Sequence, residues 1–144
     1  AGGVCWAVGG AGRVAVMTNR QIRTVLEGGS YFEGPRWHDG EWWVSDFYRR
    51  TVSRVTPEGR EKVVLDVEHQ PSGLGWLPDG SLVVSSMKDH RLLTVTDGAV
   101  SMLADLTERC GGHLNDLVVD ARGHVFVGDL AFDLMGGGTP APPR

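Results

Sequence analysis

Apolar runs of the roughly 18–20 residues needed to span a bilayer are missing from this chain, so no membrane-spanning helix can be drawn from it. Cysteine is scarce. Cys5 and Cys110 lie far apart and suit neither a disulfide framework nor a thiolate metal site, so two reduced thiols in a cytoplasmic protein are expected. Positive charge is thin as well. With 14 Lys and Arg against 18 Asp and Glu, a net charge of −4 and no basic cluster, nothing draws the chain toward nucleic acid. No segment sustains a 3.6-residue apolar period over three turns, which removes long helices from the expected architecture. What remains is an ordinary globular composition, 41% hydrophobic and 22% charged over 144 residues, enough for one modest core.

Within it one pattern recurs three times: EGPRWHDGEWWVSD from Glu33, SGLGWLPDGSLVVSS from Ser72 and NDLVVDARGHVFVGD from Asn115. Each stretch has a polar residue, a short apolar run, a turn built on Gly40, Gly80 or Gly123, and a second apolar run. The opening residues are 39 and 43 apart and the turn glycines 40 and 43 apart. A period near forty carried by short strands and glycine turns is the signature of a β-propeller. Strands are expected at 34–37, 42–45, 52–56 and 62–65, then at 74–76, 82–85, 92–96 and 101–103. A third unit begins at 117–119 and 124–127, and residues 23–26 form a further β-capable run. A β-sandwich also uses short strands and turns, but the four-strand period argues against it. The repeat puts Glu33, Ser72 and Asn115 in one slot of successive blades, where the innermost strand faces the central channel.

The two ends differ in composition from the middle. Residues 1–16 are Gly, Ala and Val apart from Cys5, Trp6 and Arg13, show no strand or helix period, and lack the layout of a signal peptide. Met17 is the expected natural start, with 1–16 a non-native or disordered extension. A partial propeller domain is expected over 17–135, followed by a truncated loop over 136–144.

EGPRW, PSGLGWLPDG, GHLNDLVVDARGHVFVGD and FDLMGG, in this order and spacing, resemble the gluconolactonase and regucalcin (senescence marker protein) family of six-bladed propellers. The resemblance runs from about Gln21 to Pro142. It implies an all-β propeller cut to about two and a half to three blades, the N-terminal part of a divalent-metal-dependent hydrolase of lactones or related cyclic esters. It further implies that Glu33, opening the EGPxW motif, is a metal ligand, and that Asn115 faces the same ion or the bound substrate. The residue two before this asparagine is often an arginine that holds substrate; here it is His113, which departs from the sugar-binding pattern. Asp133, in the loop after the third unit, is a candidate substrate contact. The family's remaining ligands and its candidate general base, an aspartate, come from later blades. Ser72 occupies the slot without an amide and is not counted as a ligand.

Carboxylate and amide oxygens suit hard cations, so Ca²⁺ is the first expectation, with Zn²⁺, Mg²⁺ or Mn²⁺ as alternatives. Cys and His are not clustered at zinc spacing. The expected partner is a small lactone or ester, with no nucleic acid or membrane, and exposed blade edges invite self-association. A non-catalytic propeller binding module is the alternative. Each candidate has a duller reading as well: Glu33 as a solvated loop residue, the Asn115-Asp116 pair as a turn, His113 as a surface histidine. Asp116, Asp46 and Asp129 are expected to be structural, the last two through turn hydrogen bonds. Trp37, Trp42, Trp43 and Trp76 are expected between blades, and His38, His69, His90 and His124 on the surface.

Overall fold

A computed structural model describes residues 6–9, 13–16, 23–132 and 136–139. The described residues form antiparallel strands only. A hairpin of β1 (Trp6–Gly9) and β2 (Arg13–Val16) stands apart from the other sheets, in the opening stretch where no strand period is legible. The first four-stranded sheet follows: β3 (Phe32–His38), β4 (Glu41–Asp46), β5 (Thr51–Val55) and β6 (Glu61–Asp66). A second sheet repeats it with β7 (Pro71–Trp76), β8 (Leu82–Ser86), β9 (Arg91–Thr96) and β10 (Ala99–Asp105). A third begins with β11 (Leu114–Val119) and β12 (Val125–Asp129). In each sheet the strands pair in sequence order, which gives two complete blades and the opening hairpin of a third.

The turns follow from local chemistry. Asp39-Gly40 and Asp97-Gly98 each put two successive residues at positive φ, 49° and 80° in the first and 51° and 80° in the second. That is the backbone of a two-residue hairpin loop whose twist matches its strands. The expected strands all form within a few residues of their predicted bounds, except the run at 23–26. That segment is irregular and lies along the first blade, with Arg23 Nη2 donating to Pro57 O.

Alternation along the strands sorts apolar side chains between two layers. Val52, Leu65 and Val67 of the first blade pack on Leu74, Leu82 and Val84 of the second. Val83, neighbour to Val84, points the other way and joins Leu92, Leu114 and Leu117 between the second and third blades. The tryptophans divide by the same rule, which corrects the expectation for two of them. Trp43 and Trp76 meet edge to face between blades at 5.3 Å. Trp37 and Trp42 pair across β3 and β4 at 4.9 Å on the opposite face of the first blade, 53% and 41% exposed. His38 is a second correction: its ring stacks on Trp76 at 3.9 Å rather than standing free on the surface.

The innermost strands come closest where the repeat places its slot. A Cβ on Gly34 would lie 2.7 Å from Ser72 O, and one on Gly73 would lie 2.2 Å from Leu117 N. Both obstructions are backbone and cannot swing aside. Gly73→Ala is therefore expected to cost about 3 kcal/mol through overpacking. Gly40→Ala, with open space around it, should cost only the ~1–2 kcal/mol of its left-handed backbone. Urea unfolding of the two variants checks this: equal midpoints would refute the close approach of β7 and β11.

Candidate functional site

All three innermost strands carry an irregularity at the slot: the register shifts between Glu33 and Arg36, between Pro71 and Leu74, and between Leu114 and Leu117. A bulge re-aims the side chain at its centre. Strand β7 lies between β3 and β11, touching both, so Glu33, Ser72 and Asn115 occupy successive positions along one rim. Ser72 Oγ donates to Asn115 Oδ1 at 3.3 Å.

Two serines that the sequence reading passed over hold this rim together. Ser45 Oγ donates to Ser72 O at 2.7 Å. Ser85, 40 residues on and in the matching place of the second blade, donates to Asn115 O at 2.8 Å while accepting Gly73 N–H at 2.7 Å. Both serines are fully buried. Each hydroxyl thus ties the second strand of one blade to the slot residue of the next. In the third blade Gly128 takes the serine's place and has no hydroxyl to offer. The signal was present in the shared Ser of EWWVS and LVVSS, at the blade period.

Glu33 differs from the other carboxylates nearby. Its Oε2 is buried and has no hydrogen-bond partner. A buried, unpaired carboxylate oxygen is costly, and a hard cation satisfies it directly. Asn115 keeps its Oδ1 bonded only by the long Ser72 contact among the described hydrogen bonds. The pair therefore fits a hard divalent cation in donor type. Among the described residues there is no cluster of three or more His, Cys, Asp or Glu side chains able to hold a metal.

The carboxylates expected to be structural behave so. Asp46, 1% exposed, accepts N–H groups of Ser30 at 2.8 Å, Tyr31 at 3.2 Å and Arg49 at 3.0 Å. Asp129 takes the same place in the third unit, accepting from Gly111, Gly112 and Ala131 at 2.8–3.0 Å. Asp116 accepts Leu117 N–H at 2.8 Å and pairs with Arg36 Nη2 at 2.7 Å. Arg36 was not anticipated. It reaches from the first blade past Gly75 of β7 to the third, and also donates to Leu117 O at 2.9 Å.

His113 sits two residues before Asn115, half-buried, its carbonyl accepting Leu130 N–H at 3.0 Å and its ring 6.4 Å from that of His90. Asp133 lies outside the described residues. Burial, then the Asp129 carboxylate, pushes the Cys110 thiol above its ordinary value. That is the opposite of what a metal-binding or nucleophilic thiolate needs.

The sequence model of the SMP-30/Gluconolactonase/LRE-like region matches residues 32–142. The chain belongs to that family. No curated protein sequence matches it. Among solved structures, it is similar to a gluconolactonase from Xanthomonas campestris, with a TM-score of 0.63 and 24% identity over 81% of this chain and 41% of that one. A candidate gluconolactonase gives 0.67 and 19% identity over 85% and 44% of the two chains. Virginiamycin B lyase from Staphylococcus aureus gives 0.60 and 12% identity over 94% and 47%. At such identities these likenesses carry the fold, and the family's β-propeller architecture is the one seen here. The chain spans less than half the length of each of these structures.

Two expected outcomes follow from the rim. Ser85→Ala leaves Gly73 N–H without its buried acceptor and should cost about 1–3 kcal/mol. Chemical unfolding measures it, and a loss within error would show the hydroxyl to be idle. Asp46 gives a pH signature. Burial raises its pKa, but the backbone bonds from Arg49, Ser30 and Tyr31, together with the Arg49 charge, outweigh burial and set it below the ordinary carboxylate value. Its stabilisation is therefore full above about pH 4 and is lost as pH falls through the depressed folded-state value. Asp46→Asn should lower the melting temperature at neutral pH and flatten its fall in acid. An unchanged acid slope would count against this account.

Proposed function

We propose that this chain carries the opening part of a lactone-hydrolysing site, with Glu33 and Asn115 as oxygen donors to a divalent cation and His113 and Asn115 toward the substrate. The observation that carries the reading is the buried, partnerless Oε2 of Glu33, on the same rim as Asn115 in a chain of this family. Ca²⁺ is the favoured ion on donor chemistry, with Mg²⁺, Mn²⁺ and Zn²⁺ as the alternatives. When bound, such an ion polarises an ester carbonyl as a Lewis acid and lowers the pKa of water.

The chain's own residues do the positioning. Glu33 supplies a carboxylate for the cation from a bulged strand, so its place is set by β3 rather than by a loop. Ser72 and Ser85 fix Asn115 from its side chain and its backbone respectively, so its amide oxygen presents one orientation. Asp116, drawn to Arg36, is turned into the fold's own ion pair and is not a donor in this scheme. The base that hydrolysis requires is assigned to a later blade of the family's propeller. A cytoplasmic location agrees with the two separated cysteines. No helix among the described residues is long and apolar enough to cross a membrane. Self-association through the open faces is supported by Trp42 on one and Val118 and Phe126 on the other, 41%, 55% and 59% exposed.

Calorimetric titration with Ca²⁺, then with the other three ions, tests the assignment. We expect one saturable site, lost in Glu33→Gln, and little or no turnover of a γ- or δ-lactone by this chain alone. Absence of binding for all four ions would sink the lactonase reading and leave a non-catalytic binding module. Metal-dependent turnover that vanishes in Glu33→Gln would instead overturn the assignment of the base to a later blade.

A further inference from the structure

Strand register gives each of the three units the same two faces. The pairs Trp37 with Trp42, Trp76 with Leu82 and Val119 with Val125 hold one position in successive units. In the second and third units this row faces backward: Trp76 and Leu82 pack on the first blade, Val119 and Val125 on the second. The next row, Arg36 with Trp43, Gly75 with Val83 and Val118 with Phe126, faces forward. Trp43 packs on the second blade and Val83 on the third. Two rows are then matched by no blade among the described residues. Trp37 and Trp42 point backward from the first blade, Val118 and Phe126 point forward from the third, and all four are exposed.

These two faces are the halves of a junction that the chain already makes twice. Phe126 stands where Trp43 stands in the first blade, and Trp37 where Trp76 stands in the second. Trp43 and Trp76 meet edge to face, so an aromatic pair is the contact that this row makes when it is closed. Between the segment at 23–26 and the backward face lies a hollow of about 150 Å³, lined by Phe32, Pro35, Trp42 and Val44 among other uncharged side chains. Gly128 brings no serine hydroxyl to the forward face, so closure there rests on apolar contact. Unlike but complementary faces associate head to tail, and such contacts form rings when the rotation closes. The chain covers a little under half of each propeller it resembles, so two copies supply nearly a full circle.

We propose that two copies of this chain close a ring head to tail, the third unit of each on the first blade of the other, and share one divalent cation. Closing the ring continues the rim, so that Asn115 of one copy is followed by Glu33 of the second. One channel then carries two carboxylates and two amides. A single chain offers one of each, far short of the roughly six to eight oxygens that surround Ca²⁺. The shared cation rests on the assignment of Glu33 and Asn115 as ligands; the ring itself does not.

Sedimentation equilibrium of the 144-residue chain in metal-free buffer should give twice the chain mass, with no larger species as concentration rises. Phe126→Glu and Trp42→Lys each put a charge into both junctions. Either should weaken association about a hundredfold, roughly tenfold per junction. Both positions are exposed in the single chain, and circular dichroism checks that the variants keep their strands. Mixed together, the two variants should re-form a dimer within about tenfold of the original affinity, because one junction is unaltered and the other sets opposite charges face to face. A single-chain mass up to millimolar concentration overturns the ring, and so does a series of growing oligomers. A dimer indifferent to either variant pairs like faces and overturns it too, as does a mixture that fails to re-form a dimer. Calorimetry with Ca²⁺ at dimer-forming concentration should give one ion per two chains, and one ion per chain overturns the sharing. A dimer that binds no ion removes the shared cation together with the ligand assignment and leaves the ring. A monomer that binds an ion removes the ring and leaves the ligand assignment.

Discussion

Backbone-to-backbone contact between neighbouring innermost strands is the constraint on which the rest of this structure depends. Sheets normally pack about 10 Å apart through their side chains. Here β3 meets β7, and β7 meets β11, with no room for a methyl group at Gly34 or Gly73. The close approach draws Glu33, Ser72 and Asn115 onto one rim although they are far apart in sequence. It also brings buried polar backbone into mutual range, where Ser45 and Ser85 can span from one blade to the next. Large apolar side chains on either side of it, Leu74, Leu114 and Leu117 among them, form the two interblade cores.

Two kinds of carboxylate result. Asp46, buried, accepts three backbone N–H groups and is complete within the protein, and the exposed Asp129 repeats the arrangement one unit later. Glu33, one strand away and paired in register with Ser45, is left with a bare oxygen. The difference lies in what surrounds each side chain. A saturated carboxylate stabilises the fold, whereas an unsaturated one stores affinity for whatever positive group arrives.

The period near forty was readable because turn glycines and apolar runs are local features, and it located nearly every strand. The structural roles of Asp46 and Asp129 were readable for the same reason: each ends a strand and bonds to a loop close by. Faces were harder. Trp42 and Trp43 are adjacent and equally apolar, so only the direction of the strand decides which one lies between blades. Residues 23–26 have strand-forming composition but run along the first blade as an irregular segment, since composition cannot supply a pairing partner. Arg36 and the two serines went unnoticed because their partners sit 27 to 81 residues away, and only packing brings them together.

The reach of Arg36 across β7 also bears on the order in which the chain assembles. Every blade is a meander, so each strand finds its partner a few residues away and closes only a short loop. The Arg36–Asp116 contact spans 80 residues and skips a whole blade. In the finished fold β7 lies between the two strands it joins. With Asp116 about half exposed, the ion pair adds at most about 1 kcal/mol. Its value is then historical more than energetic. Because its loop closure is so much longer than that of any hairpin, it is expected to close after the three units have stacked, as a latch on assembly rather than a guide to it.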